Sequence, residues 1–159
     1  MIWPLRHAQA SYVLGNYLGT TGLCGSVAEM LAILLYDLEA LDVQEHLSET
    51  IGEPVLSGVA FENLDQSRRE KILRARGLIP SACYGHFAKI REHRRRYLHY
   101  FSRAHEGIAA DAGEAFRLTV ELTAAVIGQT VHGGAVRLRS NLVKYLAQHG
   151  QISRQEARQ

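Results

Sequence analysis

An all-α fold, an antiparallel bundle of about four core helices with a further C-terminal helix, is what the apolar pattern predicts. Two observations carry that expectation. Long runs keep apolar residues at three- and four-residue steps, and glycine or proline punctuates between them. No segment alternates apolar and polar residues convincingly enough to read as a strand. With 159 residues, 47% of them hydrophobic and 21% charged, the chain is long and apolar enough for one globular core. That composition excludes a disordered chain. The expected domain covers residues 1–150, followed by a polar tail at 151–159.

Pro4 suits the first turn of a helix, and a helical pattern follows to about Leu41. Its second half carries a heptad-like run of Val27, Leu31, Leu34, Leu38 and Leu41. Its first half carries Gly15, Gly19, Gly22 and Ser26 as a stripe of small residues. Glycine inside a helix costs about 1 kcal/mol relative to alanine. Close approach of another helix, from the same chain or a partner, is the expected compensation, and a break near Gly19 to Gly22 is the alternative. Residues 42–58 read as a short helix and then a loop, broken at Gly52, Pro54 and Gly58. A helix over 61–76 turns Leu64, Ile72 and Leu73 inward and stops at Gly77. Pro80 and Ser81 open the next helix, which runs to about Arg103. Beyond Gly107 a helix over 108–129 has Phe116, Val120, Thr123 and Ile127 as its inner face. Gly133 and Gly134 end that element, and a last amphipathic helix covers 135–148 through Val136, Leu142, Val143 and Leu146.

The chemistry concentrates in one place. Between residues 86 and 106 stand Lys89, Arg91, Arg94, Arg95, Arg96 and Arg103, with His86, His93, His99 and His105; only Glu92 and Glu106 offset them. A permanent cation beside a group that titrates near neutral pH is what phosphodiester chemistry requires. A solvated basic helix face is the plainer reading. Cys83, Phe87, Ile90, Tyr97, Leu98 and Phe101 mark an apolar stripe on this helix, and Arg94 falls in its middle. A guanidinium there is costly unless an anion or hydrogen-bond acceptor meets it. His99 lies five residues on, roughly 140° around an ideal helix. The two side chains converge only if the helix bends or unwinds between them, or if a second copy supplies its own pair.

Arg94, Arg95, Arg96, Tyr97, Leu98, His99 and Tyr100, an Arg followed after four residues by a His, resemble the signature of HEPN domains (higher eukaryotes and prokaryotes nucleotide-binding). The layout adds to the resemblance over residues 10–128. An early helix holds Gly22, Ser26 and Glu29, a second ends over 73–79, and the motif helix and a long amphipathic helix follow. The resemblance implies a metal-independent endoribonuclease of toxin or defence type, without a cofactor, that cuts single-stranded RNA by attack of the neighbouring 2′-hydroxyl on phosphorus. His99 would act as general base or acid. Arg94 would hold the phosphate and stabilise its developing charge. Two such pairs would face each other across the axis of a homodimer. Arg91, Arg95, Arg96 and Arg103 would guide the RNA backbone. Tyr97 and Tyr100 would stack on unpaired bases, with packing as their simpler role. His93 is left to assist or to sit in solvent. Where the family usually carries a small polar residue after the motif Arg, this chain has Arg95. That departure keeps open a catalytically silent HEPN-fold module that binds RNA, a nucleotide or an antitoxin-like protein. A helical interaction protein meeting an acidic partner is the third class.

Other constellations offer less. No HExxH and no paired CxxC appears, so no metal site is expected. His132 reads as a loop residue. The glycines at 15, 19, 22 and 25 follow no strand and match no phosphate-cradling loop. Glu29 is expected to bond across the bundle, to an Arg of the motif helix, with an active-site role as the alternative. Cys24 and Cys83 on apolar stretches read as reduced, buried thiols, which fits a cytoplasmic protein. No secretory signal is legible at the start of the chain. Residues 8–28 carry no charge, yet Asn16, Thr20, Thr21, Ser26 and four glycines, followed by Glu29, predict a buried helix of a soluble protein and no membrane association.

Overall fold

The computed structural model describes residues 2–46, 60–79, 81–99, 105–128, 130–132 and 135–150. Most of the loop expected before residue 58, Tyr100, Phe101, Arg103 and the polar tail 151–159 lie outside the described residues. The architecture is the expected all-α bundle. It comprises α1 (Ile2–Val13), α2 (Tyr17–His46), a 3-10 turn (Phe61–Asn63), α3 (Gln66–Ala75), α4 (Ser81–Arg94) and a π-helical turn (Arg95–His99). Then follow α5 (Ile108–Ile127), a two-stranded hairpin and α6 (Ser140–Gln148).

Helix α2 is the axis, packing against α1, α3, α4, α5 and α6. Its Cys24, Val27, Ala28 and Leu31 are fully buried against Phe87 and Ile90 of α4, Leu73 of α3 and Leu122 of α5. Each large apolar side chain sealed this way stabilises the fold by about 1.5–3 kcal/mol. Tyr36 of α2 stacks on Phe61 with ring centroids 3.9 Å apart. The thiol of Cys24 is pushed up to about 11 by burial, against a hydrogen bond with Thr119, so it stays protonated and unreactive. Both cysteines are free and buried. The stretch Tyr17–Glu39 is long and apolar enough to cross a membrane, but 56% of its apolar window is buried inside the bundle.

The first expected helix is two. Gly15 adopts φ +76°, the left-handed conformation that closes a helix. The Asn16 side chain then accepts from Gly19 N–H at 2.9 Å and caps the start of α2. The break therefore falls ahead of the Gly19 to Gly22 position. Helix α3 starts later than expected because Asp65 caps it, accepting from Arg68 N–H at 3.0 Å. It ends as expected at Gly77 (φ +73°), with Leu78 N–H donating to Leu73 at 2.9 Å.

The inner face of α5 is only partly the expected one: Phe116 packs against the core, but smaller residues make up most of the buried face. Ala112, Ala115, Leu118, Thr119, Leu122 and Val126 are buried, whereas Val120 is 41% exposed. Small residues let α5 approach α2 closely, and the Thr119 hydroxyl satisfies itself by donating to Ala115 O at 2.7 Å. A reading weighted towards large apolar residues misses such a face.

The end of the chain is the second correction. The expected helix over 135–148 begins only at Ser140, and an antiparallel hairpin of β1 (Thr130–His132) and β2 (Ala135–Arg137) precedes it. His132, expected in a loop, belongs to β1. β-Branched residues on either side of Gly133-Gly134 are a hairpin signal, and helical periodicity in the following residues masked it. Helix α6 returns to the core through buried Leu142, and Tyr145 donates its hydroxyl to Asp37 of α2 at 3.3 Å.

Candidate functional site

The basic segment occupies the second half of α4 and the π turn. Cys83, Phe87, Ile90 and Tyr97 are buried as the stripe predicts, while Leu98 is 39% exposed. This face lies directly on the small residues of α2. A Cβ on Gly22 would sit 3.4 Å from Leu98 Cδ1, and one on Gly25 would collide with the stem of Arg94. At Gly22 the close approach that the small-residue stripe calls for is thus supplied by the chain's own motif helix, and Gly25, outside the stripe, is met by the same helix. A dimer draws no support from them.

Arg94 crosses Gly25 and pairs through NH1 with Glu29 Oε1 on α2, the cross-bundle bond expected for Glu29. Both side chains remain partly open to solvent, at 26% and 32% exposure. Immediately after Arg94 the helix widens into the π turn Arg95–His99. A π turn closes its hydrogen bonds at i→i+5, so backbone positions five apart come nearly above one another instead of diverging. Positions 94 and 99 have that separation. The His99 side chain, like Arg103, lies outside the described residues.

Arg91 pairs with Glu70 of α3, whose side chain is completely buried. Burial pushes the Glu70 carboxyl above the usual carboxylate range, and the charge and hydrogen bond of Arg91 oppose that rise. Arg69, also of α3, donates to Leu64 O at 2.8 Å. A cleft of about 460 Å³ opens between α2, α3 and α4, lined by Glu29, Gln66, Arg69, Arg91, Arg94 and Arg95 among others. Arg91, Arg95 and Arg96 also line a second cleft of about 480 Å³ around α4.

Two expectations need correction. Tyr97 is only 5% exposed and its hydroxyl donates to Asp111 Oδ2 at 2.7 Å, so the ring packs in the fold and is not offered to a base. His93, left to assist or sit in solvent, is 2% exposed. Its Nε2 lies 2.8 Å from Glu114 Oε2 and its Nδ1 3.4 Å from Asp111 Oδ2. Arg96, more than half exposed, joins the same cluster through NH1 at 2.8 Å from Asp111. Burial pushes the Asp111 carboxyl up, but hydrogen bonds from Tyr97 and Arg96 and the charge of His93 together hold it below the usual range. A signal for His93 was available: it stands three residues after Ile90 and four before Tyr97, on the buried stripe. Asp111 and Glu114 share one face of α5 by their own three-residue spacing.

One ligand atom from each of His93, Asp111 and Glu114 lies within 4.8 Å of the others, which is metal-site spacing. The two carboxylates address opposite ring nitrogens, however, and a single ion takes only one of them. The arrangement suits a clamp in which Nε2 hydrogen-bonds to Glu114 while Nδ1 stands at ion-pair distance from Asp111. Comparison with family models, with curated proteins and with solved structures finds no match to this chain.

Proposed function

We propose that the chain is a metal-independent endoribonuclease of the HEPN type, acting in the cytoplasm on single-stranded RNA as a homodimer in a toxin or defence role. The observation that carries this reading is the π turn that begins one residue after Arg94 and ends on His99. Widened turns of this kind concentrate at functional sites because they re-aim side chains that an α-helix separates. Arg94, partly exposed at the cleft, would grip a non-bridging phosphate oxygen, and His99 would move the proton of the 2′-hydroxyl or the leaving oxygen. Arg95 and Arg96, exposed beside it, and Arg103 would track the backbone.

The test uses end-labelled single-stranded RNA in the presence of a chelator. Cleavage that leaves cyclic phosphate ends, and that falls by about 10²-fold or more in both Arg94→Ala and His99→Ala, supports the reading. Metal-dependent cutting, or cutting untouched by either substitution, rejects it. Gly25→Ala offers a second route to the same residue. The added methyl displaces Arg94 from its seat, so activity should fall towards that of Arg94→Ala. The gain in helix propensity of about 1 kcal/mol should keep the fold intact, as judged by thermal unfolding.

One observation favours a catalytically silent module of the same fold. Arg94 is already engaged by Glu29, and a phosphate must compete for it. Salt-sensitive RNA, nucleotide or antitoxin binding without cleavage would identify that case.

A further inference from the structure

We infer that the cleft between α2, α3 and α4 is a phosphate-monoester pocket, complete within one protomer and guarded by Glu29. It shares Arg94 and Arg95 with the proposed nuclease centre but needs neither His99 nor a second copy, so it reaches beyond that reading.

Four guanidinium groups, those of Arg69, Arg91, Arg94 and Arg95, line the cleft against two carboxylates, Glu29 and Asp65. The ion pairs of Arg91 and Arg94 each employ NH1, and a guanidinium carries five donors in a planar fork. Each therefore retains an edge able to grip an oxyanion. The floor supplies an independent sign. Gln66 is 8% exposed, lines the cleft, and its Nε2 has no hydrogen-bond partner among the described residues. Its nearest acceptor is the Glu70 carboxyl, which it helps to draw down, but the contact falls short of full hydrogen-bond geometry and Glu70 Oε1 is unpartnered as well. A buried amide donor left without a well-formed acceptor costs up to about 1–3 kcal/mol, and rotation of the Gln66 amide towards a ligand oxygen removes that cost.

The start of α3 faces the same space. Gln66 and Ser67 form its first turn and line the cleft. The Asp65 carboxylate accepts from the Arg68 N–H and pairs with the Arg68 guanidinium, while the leading N–H groups of any helix lack intrahelical partners and lie at the positive end of its dipole. Guanidinium groups from α3 and α4 and the first turn of α3 thus line one cleft. A planar carboxylate presents two acceptor oxygens; a phosphate monoester presents three and a second charge, and matches this donor set better. The volume of about 460 Å³ admits the phosphoryl group with an attached sugar. Without ligand, Glu29 holds Arg94; on binding, the phosphate takes its place.

Isothermal titration with inorganic phosphate, at constant ionic strength and with chloride as control, tests the pocket. Wild type should bind phosphate and not chloride. Gln66→Leu should weaken binding by about fivefold or more while leaving the melting temperature unchanged or higher, because it removes an orphaned donor. Glu29→Gln should tighten binding by about fivefold, since the competing carboxylate is neutralised. No phosphate binding, or affinity indifferent to both substitutions, overturns the inference. Two further arms locate the source of the phosphoryl group: adenosine monophosphate against adenosine, and a 5′-phosphorylated trinucleotide against its 5′-hydroxyl form. Gain from phosphorylation in the first pair assigns the pocket to free nucleotides, and gain in the second pair alone assigns it to an RNA end. Gain in neither overturns the monoester assignment. Because the readout is binding alone, its failure and a failure of RNA cleavage are separate results.

Discussion

His93→Ala should destabilise the protein by about 2–4 kcal/mol, lowering the thermal midpoint by about 5–12 °C. The ring is 2% exposed and each of its nitrogens meets a carboxylate of α5, at 2.8 Å and 3.4 Å. Truncation opens a cavity and leaves Asp111 and Glu114 facing it without the ring that they share. The pH dependence separates this from simple cavity formation. Asp111 is held below the usual carboxylate range, so its contribution is complete above its unfolded value of about 3.9 and lost as pH falls through its folded value. Removing His93 weakens that hold, so the variant's deficit should be largest near neutrality and shrink below about pH 4. Circular dichroism melts at a series of pH values measure both effects. A midpoint shift that is small, or that does not vary with pH, would mean the clamp is not what ties α4 to α5.

The clamp also explains how the π turn is held. Asp111 receives Arg96 NH1, Tyr97 OH and, less closely, His93 Nδ1. Those three residues straddle the point where α4 widens. A single-turn π segment has poorer local geometry than the α-helix it interrupts, and here a carboxylate on a neighbouring rigid helix fixes both sides of it. Stability at this junction and the placement of Arg94 relative to position 99 are therefore one structural matter.

Much of this was legible in the sequence, for physical reasons that differ by element. The buried row Val27, Leu31 and Leu38, the Gly77 stop and the Cys83, Phe87, Ile90 stripe follow from period and cap chemistry. The pairing of Glu29 with an Arg of the motif helix followed from the cost of stranding either charge on an apolar face. The widened turn was foreseen only as a condition for Arg94 and His99 to meet. What escaped depends on partners distant in sequence. Nothing near His93 announces Asp111 and Glu114, and nothing near Arg91 announces Glu70. The α5 face escaped because Ala112 and Ala115 are buried for their smallness, and the hairpin because Val136 fits helical and strand periods alike.

Arg91→Ala should be the costlier change, at about 3–5 kcal/mol, and it reassigns a residue that the sequence places on the RNA path. Glu70 is fully buried, and Arg91 is its ion-pair partner; without that cation an uncompensated carboxylate is left inside the protein. Burial already raises the Glu70 carboxyl, with Arg91 opposing. A group raised in the fold contributes fully below its unfolded value, about 4.3, and its contribution is lost as pH rises through the folded value. Loss of Arg91 raises Glu70 further, so the variant should be less impaired at pH 4 than at pH 8. Replacing both partners with apolar residues of similar size, Arg91→Met with Glu70→Leu, should recover most of the loss, because the buried charge goes with its partner. Urea unfolding of wild type, the single variant and the double variant decides the matter. If Arg91→Ala melts like wild type yet binds RNA more weakly, the residue is a guide for the backbone and the buried pair contributes little to the fold.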